Sequence, residues 1–347
     1  MKTSTMQKHT PRKCFWNLGK SVEMPTNGLY LFLFIALGFA FLQWFLSVLE
    51  ARVGGKPESV SSGQQAVLGP PSNVHVHSLY PHSYRILINE PEKCTGQPPF
   101  LLVLVSSAPI EHEARAAIRS TWGRPFLSQG VPILTLFLLG ISPLPKVAAA
   151  VLAESHEHHD ILQEDFVDTY RNLTIKTIMG LKWAASFCPG VRYIMKTDGD
   201  VFVHIENLVS GALLAEGSAS TFFYTGQVIN GQPIRDPRSK WYMPRSVYPR
   251  SRYPPFCSGT GYVISGELAN AMYRSSLRTA ILPLEDVFVG VCAHKLGVLP
   301  THNGGFNRRR LAGRTCDFHR VVTLHQVPPT TMRRLWKDIH NNSTINC

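Results

Sequence analysis

Apolar positions change their spacing along this chain, and each change predicts a different element. Gly28–Leu49 (GLYLFLFIALGFAFLQWFLSVL) holds no charged residue, and Gln43 is its only strongly polar one. As a helix it would span roughly 33 Å, enough to cross a bilayer. A buried core helix rarely runs that long without a polar face. No small-residue cleavage site closes the run before Glu50, so a retained anchor is expected rather than a signal peptide. Residues 50–96 lose any sustained apolar period and are rich in Gly, Ser, Pro and His, the composition of a flexible stem. Short continuous apolar runs follow at Phe100–Val105, Ile133–Leu139, Ile161–Leu162 and Arg192–Thr197, the pattern of strands buried on both faces. His112–Trp122 and Leu173–Phe187 read as helices between them. Strands alternating with helices predict an α/β domain on a mostly parallel sheet, with ligands outside the carboxyl ends of the strands. The expected organisation is a tail (1–27), a transmembrane helix (28–49), a stem (50–96) and one large domain (97–347).

Charge orients this layout. Lys2, Lys8, Arg12, Lys13 and Lys20 precede the apolar run against the single acid Glu23, which puts the N-terminus in the cytosol and the rest across the membrane. The formal net charge of +12 favours anionic partners: a nucleotide diphosphate, acidic lipid or nucleic acid. Nucleic acid is the weakest of these, because no zinc-finger spacing or RNA-binding aromatic signature accompanies the charge. Six of the 7 Cys follow the span, which allows up to three disulfides in an oxidising compartment. Asn172, Asn341 and Asn342 each begin a glycosylation sequon.

Candidate chemistry lies in a few clusters. Asp198-Gly199-Asp200 follows an apolar strand, so its two carboxylates could hold a hard divalent cation there. Gly199 would permit the tight turn that aims both carboxylates one way, although Asp and Gly also favour plain turns. Glu285 and Asp286 stand between Pro283 and an apolar run, where a carboxylate can have a raised pKa and serve as a general base. A helix N-terminus explains the same pair through its dipole. The segment Tyr253–Tyr262 (YPPFCSGTGY) could line a sugar with Tyr253, Phe256 or Tyr262, or simply be a turn cluster. Arg115 and Arg119 share a helix face and would meet either phosphate or a structural carboxylate. The tract His156–His159 lacks a distant metal-ligand partner set, and Arg308–Arg310 reads as a solvated basic cluster. His325, on an apolar run, is either a core histidine or a third metal ligand.

Six ordered motifs resemble the β-1,3-galactosyltransferases of glycosyltransferase family 31 over residues 97–347. They are AIRSTWG (117–123), FVDTYRNLTIKTIMGLKWAASFC (166–188), KTDGDVFV (196–203), PIRDPRSKWYMP (233–244), YPPFCSGTGYV (253–263) and LEDVFVG (284–290). The resemblance implies a GT-A-type nucleotide-sugar-binding domain behind a Golgi type II signal-anchor. It implies transfer of galactose from UDP-galactose, with Mn²⁺, onto an N-acetylglucosamine-terminated glycan on lipid or protein. Asp200, Asp198 and His325 match the metal positions, and Asp286, beside Glu285, matches the base. Arg115, Arg119, Lys196, Asp198 and Gly199 fall at the nucleotide-sugar site. Trp241, Tyr242, Tyr253, Gly259 and Gly261 fall at the acceptor or sugar site. Gly199 departs from the family's usual Asp or Ser. A β-1,3-N-acetylglucosaminyltransferase would carry the same motifs, and a catalytically silent lumenal glycan-binding protein would share the fold.

Overall fold

The apolar runs form the centre of a nine-stranded sheet in the computed structural model. The structure describes residues 83–124, 126–128, 130–214, 221–307 and 321–340. The expected tail and anchor, most of the stem, the sequons at Asn341 and Asn342 and the Arg308–Arg310 cluster lie outside the described residues. The described residues fall within one unit, 75–347, and none of their helices is long and apolar enough to cross a membrane.

In chain order the elements are β1 (Ile86–Ile88), β2 (Leu101–Ser106), α1 (His112–Arg119), β3 (Phe126–Ser128), β4 (Val131–Ile141), α2 (Pro145–His158), β5 (Ile161–Val167), α3 (Leu173–Phe187), β6 (Tyr193–Asp198) and β7 (Phe202–Val203). A short α4 (Ile205–Leu208) follows, then β8 (Tyr224–Ile229), β9 (Phe256–Ser265), α5 (Gly266–Ser276), α6 (Glu285–Lys295), β10 (Thr301–His302), β11 (Phe306–Asn307), β12 (Thr323–Leu324) and α7 (Pro329–His340). The sheet order is β1-β5-β4-β2-β6-β9-β8-β10, with β3 on β4. The centre, β5-β4-β2-β6, is parallel. β9 runs antiparallel to both β6 and β8, and β1 antiparallel to β5.

Every residue of β2 is buried, because alternate side chains enter different cores. Leu102 and Leu104 pack with residues of α3, α5 and α6. Leu101, Val103 and Val105 pack with Ile118, Trp122 and Met332 of α7. The parallel register pairs Ser106 of β2 with Asp198 of β6, so the acidic turn stands at the carboxyl end of the sheet's middle. A Cys94–Cys188 disulfide ties the 3₁₀ turn Pro91–Cys94 to the end of α3. Of the further cysteine pairings anticipated, Cys257 and Cys292 form none: both are buried thiols. Burial pushes Cys257 up to about 12 and Cys292 up to about 11, so neither is a ready nucleophile.

Arg115 and Arg119 correct one expectation. Arg115 is fully buried, and its Nε and Nη2 form a fork on Glu154 at 2.8 and 2.6 Å. Its remaining bonds go to Ser107 Oγ and the carbonyls of Ala108 and Pro109. Arg119 forks onto Asp160 at 2.7 and 2.8 Å and reaches Glu154 at 2.7 Å. The pair is a strut between α1, α2 and the loop after β2, and all five Arg115 N–H groups are spent within the protein. Removing one partner of such a buried pair typically costs about 3–5 kcal/mol. Arg115→Ala is therefore expected to lower stability by about that much in a urea or thermal melt. A melt matching wild type would return Arg115 to the list of ligand contacts.

Candidate active site

Asp198 ends β6, and its Oδ1 accepts from Lys196 Nζ at 2.7 Å. The chain turns at Gly199 and presents Asp200, whose Oδ2 lies 3.4 Å from His325 Nε2. Strand pairing makes that meeting possible. β12 runs antiparallel to β7 with Thr323 opposite Val203 and Leu324 opposite Phe202, all four buried. Val327 N–H then donates to the Asp200 carbonyl at 2.8 Å. Burial alone would raise the Asp200 carboxyl, but the hydrogen bond and charge of His325 hold it below its ordinary value.

Gly199 does not serve the purpose first given to it. It is absent from the positive-φ glycines, and a Cβ there would meet nothing closer than 3.7 Å. The turn therefore accepts a side chain at this position.

Asp286 lies in the first turn of α6. Its Oδ1 accepts from Val287 N–H at 2.9 Å and its Oδ2 from Gly259 N–H at 3.2 Å. Burial, aided by the adjacent charge of Glu285, pushes its carboxyl up to about 6 despite those two bonds. Both readings of this acid pair thus hold at once: the position is a helix N-terminus, and Asp286 has a raised pKa.

Glu285 points elsewhere. Its Oε1 accepts from Tyr262 Oη at 2.7 Å and Thr177 Oγ1 at 3.1 Å, and its Oε2 lies 3.3 Å from Lys196 Nζ. It is a support for Lys196 rather than a second base. Lys196 also donates to the Gly259 carbonyl at 2.7 Å. Its ammonium is thus shared among Asp198, Glu285 and the Gly259 carbonyl at the edge of the cavity, which departs from its expected place as a nucleotide contact. Burial would depress its pKa, but Asp198 and Glu285 outweigh burial and raise it.

Asp198, Asp286 and His325 line one cavity of about 520 Å³, together with Lys196, Gly259, Tyr253 and Trp241. Tyr253 is buried, with a hydroxyl that has no hydrogen-bond partner among the described residues; burial pushes it up to about 12. Trp241 is about half exposed at the rim. Three of the expected sugar contacts are not in the lining. Tyr242 N–H donates to the Ser239 carbonyl beside the bridge to Ile234, Tyr262 is buried against Glu285, and Gly261 packs against Thr323. Gly259 is in the lining, and a Cβ there would sit 3.2 Å from Glu285 Oε2 and 3.5 Å from Asp286 Cβ. Tyr170 and Lys240 are lining residues that the sequence did not single out. Asn172 lies in the 3₁₀ turn before α3, and its Nδ2 donates to the Val167 carbonyl.

The donor set suits a divalent cation. A carboxylate oxygen and an imidazole nitrogen 3.4 Å apart are spaced to share one ion, with remaining positions open to phosphate oxygens and water. Among the described residues no three His, Cys, Asp or Glu gather as a closed metal cage. That includes the His156–His159 tract.

A parallel-centred α/β sheet thus places Asp198 at its carboxyl end, in the lining of the same cavity as Asp286, an arrangement compatible with group transfer. A family model described as Galactosyltransferase matches residues 113–304. Mouse beta-1,3-galactosyltransferase 1 is 46% identical over 88% of this chain and 94% of its own length, and the human protein of that name matches equally. Beta-1,3-galactosyltransferase 2 of Pongo abelii is 44% identical over 77% of this chain and 65% of its own. Among solved structures, the galactosyltransferase LgtC with donor and acceptor sugar analogues aligns at a TM-score of 0.36 and 13% identity, over 70% of this chain and 97% of that one; nothing here rests on it. The chain belongs to the galactosyltransferase family.

The raised carboxyl makes a stability prediction. Below its unfolded value of about 3.8 Asp286 is protonated in both states, and above about 6 it is ionised in both, at a cost to the native state. Asp286→Asn should stabilise the fold at pH 8 by about 1–3 kcal/mol. Thermal melts should show that gain shrinking as pH falls from about 6 toward 4. A gain that is absent at pH 8 would mean that the carboxyl is not destabilised.

Proposed function

We propose that this chain transfers galactose from UDP-galactose, with inversion, in β-1,3 linkage to a glycan ending in N-acetylglucosamine. The observation that carries the reading is the shared cavity: Asp286, Asp198 and His325 all line it, and His325 lies 3.4 Å from Asp200. The motif resemblance and the names of the relatives supply the sugar and the linkage. The domain is of the GT-A type, and Asp200 and His325 hold a divalent cation, Mn²⁺. When bound, that cation offsets charge developing on the departing diphosphate. Asp286 takes the proton from the acceptor hydroxyl. The acceptor oxygen attacks C1 of galactose from the face opposite UDP, so an α-linked donor gives a β-linked product. Gly259 N–H fixes the carboxylate that takes the proton. Trp241 offers an aromatic face to the sugar. The enzyme is a single-pass type II protein of the Golgi membrane, anchored by residues 28–49 with residues 97–347 in the lumen and glycosylated at Asn172, Asn341 and Asn342.

The full-length enzyme in detergent, supplied with Mn²⁺, tests this. Asp286→Asn should cut kcat by about 10²–10⁴-fold, the usual worth of general-base help, with little change in UDP affinity. The wild-type rate should rise with pH through an acid limb near 6, where Asp286 loses its proton. A variant with near-wild-type turnover would place the base elsewhere. Asp200→Ala should abolish dependence on added Mn²⁺, and activity that survives EDTA in wild type would refute the cation's role. A donor panel of UDP-galactose against UDP-N-acetylglucosamine fixes the sugar, and no turnover with any UDP-sugar would leave only glycan binding.

A further inference from the structure

The loop between β8 and β9 is basic. It carries Arg235, Arg238, Lys240, Arg245, Arg250 and Arg252 against the single acid Asp236. Two of these cations are committed to the loop itself. Arg235 donates to the carbonyls of Met243, Tyr248 and Arg250, and Arg238 pairs with Asp236. Lys240 is placed differently, in the lining of the cavity. Its Nζ lies 4.9 Å from the ring centre of Trp241 and 5.7 Å from that of Tyr170, and no carboxylate of the described residues pairs with it.

The two rings are linked through Lys240, whose ammonium lies near both ring centres. Tyr170, Trp241 and Lys240 line the same cavity as Asp286. An acceptor sugar that presents its hydroxyl to Asp286 would therefore lie against Tyr170 and Trp241. Lys240 would then face whatever the sugar or its neighbour carries. A cation steadied by aromatic faces and lacking a carboxylate partner is a ready counter-ion for an anion.

We propose that this enzyme prefers acceptor glycans bearing an anionic substituent, a sulfate or a carboxylate, beside the sugar that receives galactose, with Lys240 as the counter-ion. The proposal rests on the transfer reading above. It assigns to the aromatic–lysine unit a choice among acceptors and leaves the chemistry with Asp286.

The test compares three acceptors with full-length enzyme, UDP-galactose and Mn²⁺: a neutral N-acetylglucosamine-terminated disaccharide, its 6-O-sulfate, and the analogue with glucuronate as second sugar. At least one anionic acceptor should exceed the neutral one in kcat/KM by about three- to tenfold, and the sulfate and glucuronate arms separate the two sources of charge. That preference should shrink as salt rises. Lys240→Met should bring the anionic-to-neutral ratio to about one, and Lys240→Arg should retain most of it. Equal use of all three acceptors by wild type would overturn the proposal while leaving transfer intact. So would a ratio unmoved in Lys240→Met. A higher KM for UDP-galactose with every acceptor in that variant would place Lys240 at the diphosphate and overturn it too. No transfer to any acceptor would overturn the transfer reading and this proposal with it.

Discussion

One buried ammonium allows the site to exist. Asp198, Glu285 and Asp286 line the same cavity, and like charges so placed would raise one another's pKa and push apart. Lys196 stands among them, bonded to Asp198 and to the Gly259 carbonyl and within ion-pair distance of Glu285. At about 3 Å and an effective dielectric near 20, each such attraction is on the order of 5 kcal/mol, enough to offset much of the cost of burying the charge. The Gly259 peptide extends the link. Its carbonyl accepts from Lys196 and its N–H donates to Asp286, so one strand residue fixes Lys196 and Asp286 relative to each other. A Cβ at this residue would crowd Glu285 and Asp286, which accounts for glycine there.

The same lysine separates two acids that are adjacent in sequence. Successive residues at a helix start point about 100° apart, so Glu285 and Asp286 face different surroundings. Glu285 faces inward, where it accepts from Tyr262 and Thr177 and pairs with Lys196. Asp286 is raised by burial and by the charge of its neighbour, against the two backbone N–H bonds that lower it. Environment, rather than residue type, sets the two acids apart.

What the sequence revealed and what it hid follow from the range of each interaction. Strand ends are local, so the place of Asp198 and Asp200 at the carboxyl end of a buried strand was legible from the apolar run before them. The sequence leaves His325 open between a core histidine and a metal ligand, because only a two-residue pairing between β7 and β12 brings it across the sequence to Asp200. Arg115 and Arg119 misled because a helix face of two arginines looks the same whether phosphate or carboxylate waits opposite. Their partners, Glu154 and Asp160, bracket the histidine tract that had attracted attention as a metal motif. Tyr170 and Lys240 lie inside two of the resembling motifs but are not singled out within them. Their meaning lies in ring faces contributed by segments some 70 residues apart in the chain.

Gly199 shows how a motif position can be free in space and still constrained by charge. Its backbone does not require glycine, and the nearest atoms to a built Cβ include Glu111 Oε2 at 3.7 Å. That carboxylate is held in place by Ala108 N–H at 2.8 Å. A serine at 199 would meet it as a hydroxyl donor. An aspartate would put a fourth carboxylate beside Asp198, Asp200 and Glu111, with Lys196 already bound to Asp198 and Glu285. With Glu111 where it is, glycine adds no further negative charge to the acidic turn. The outer carboxylates then keep their arrangement without a second buried cation, and the departure from the family pattern is compatible with an intact site.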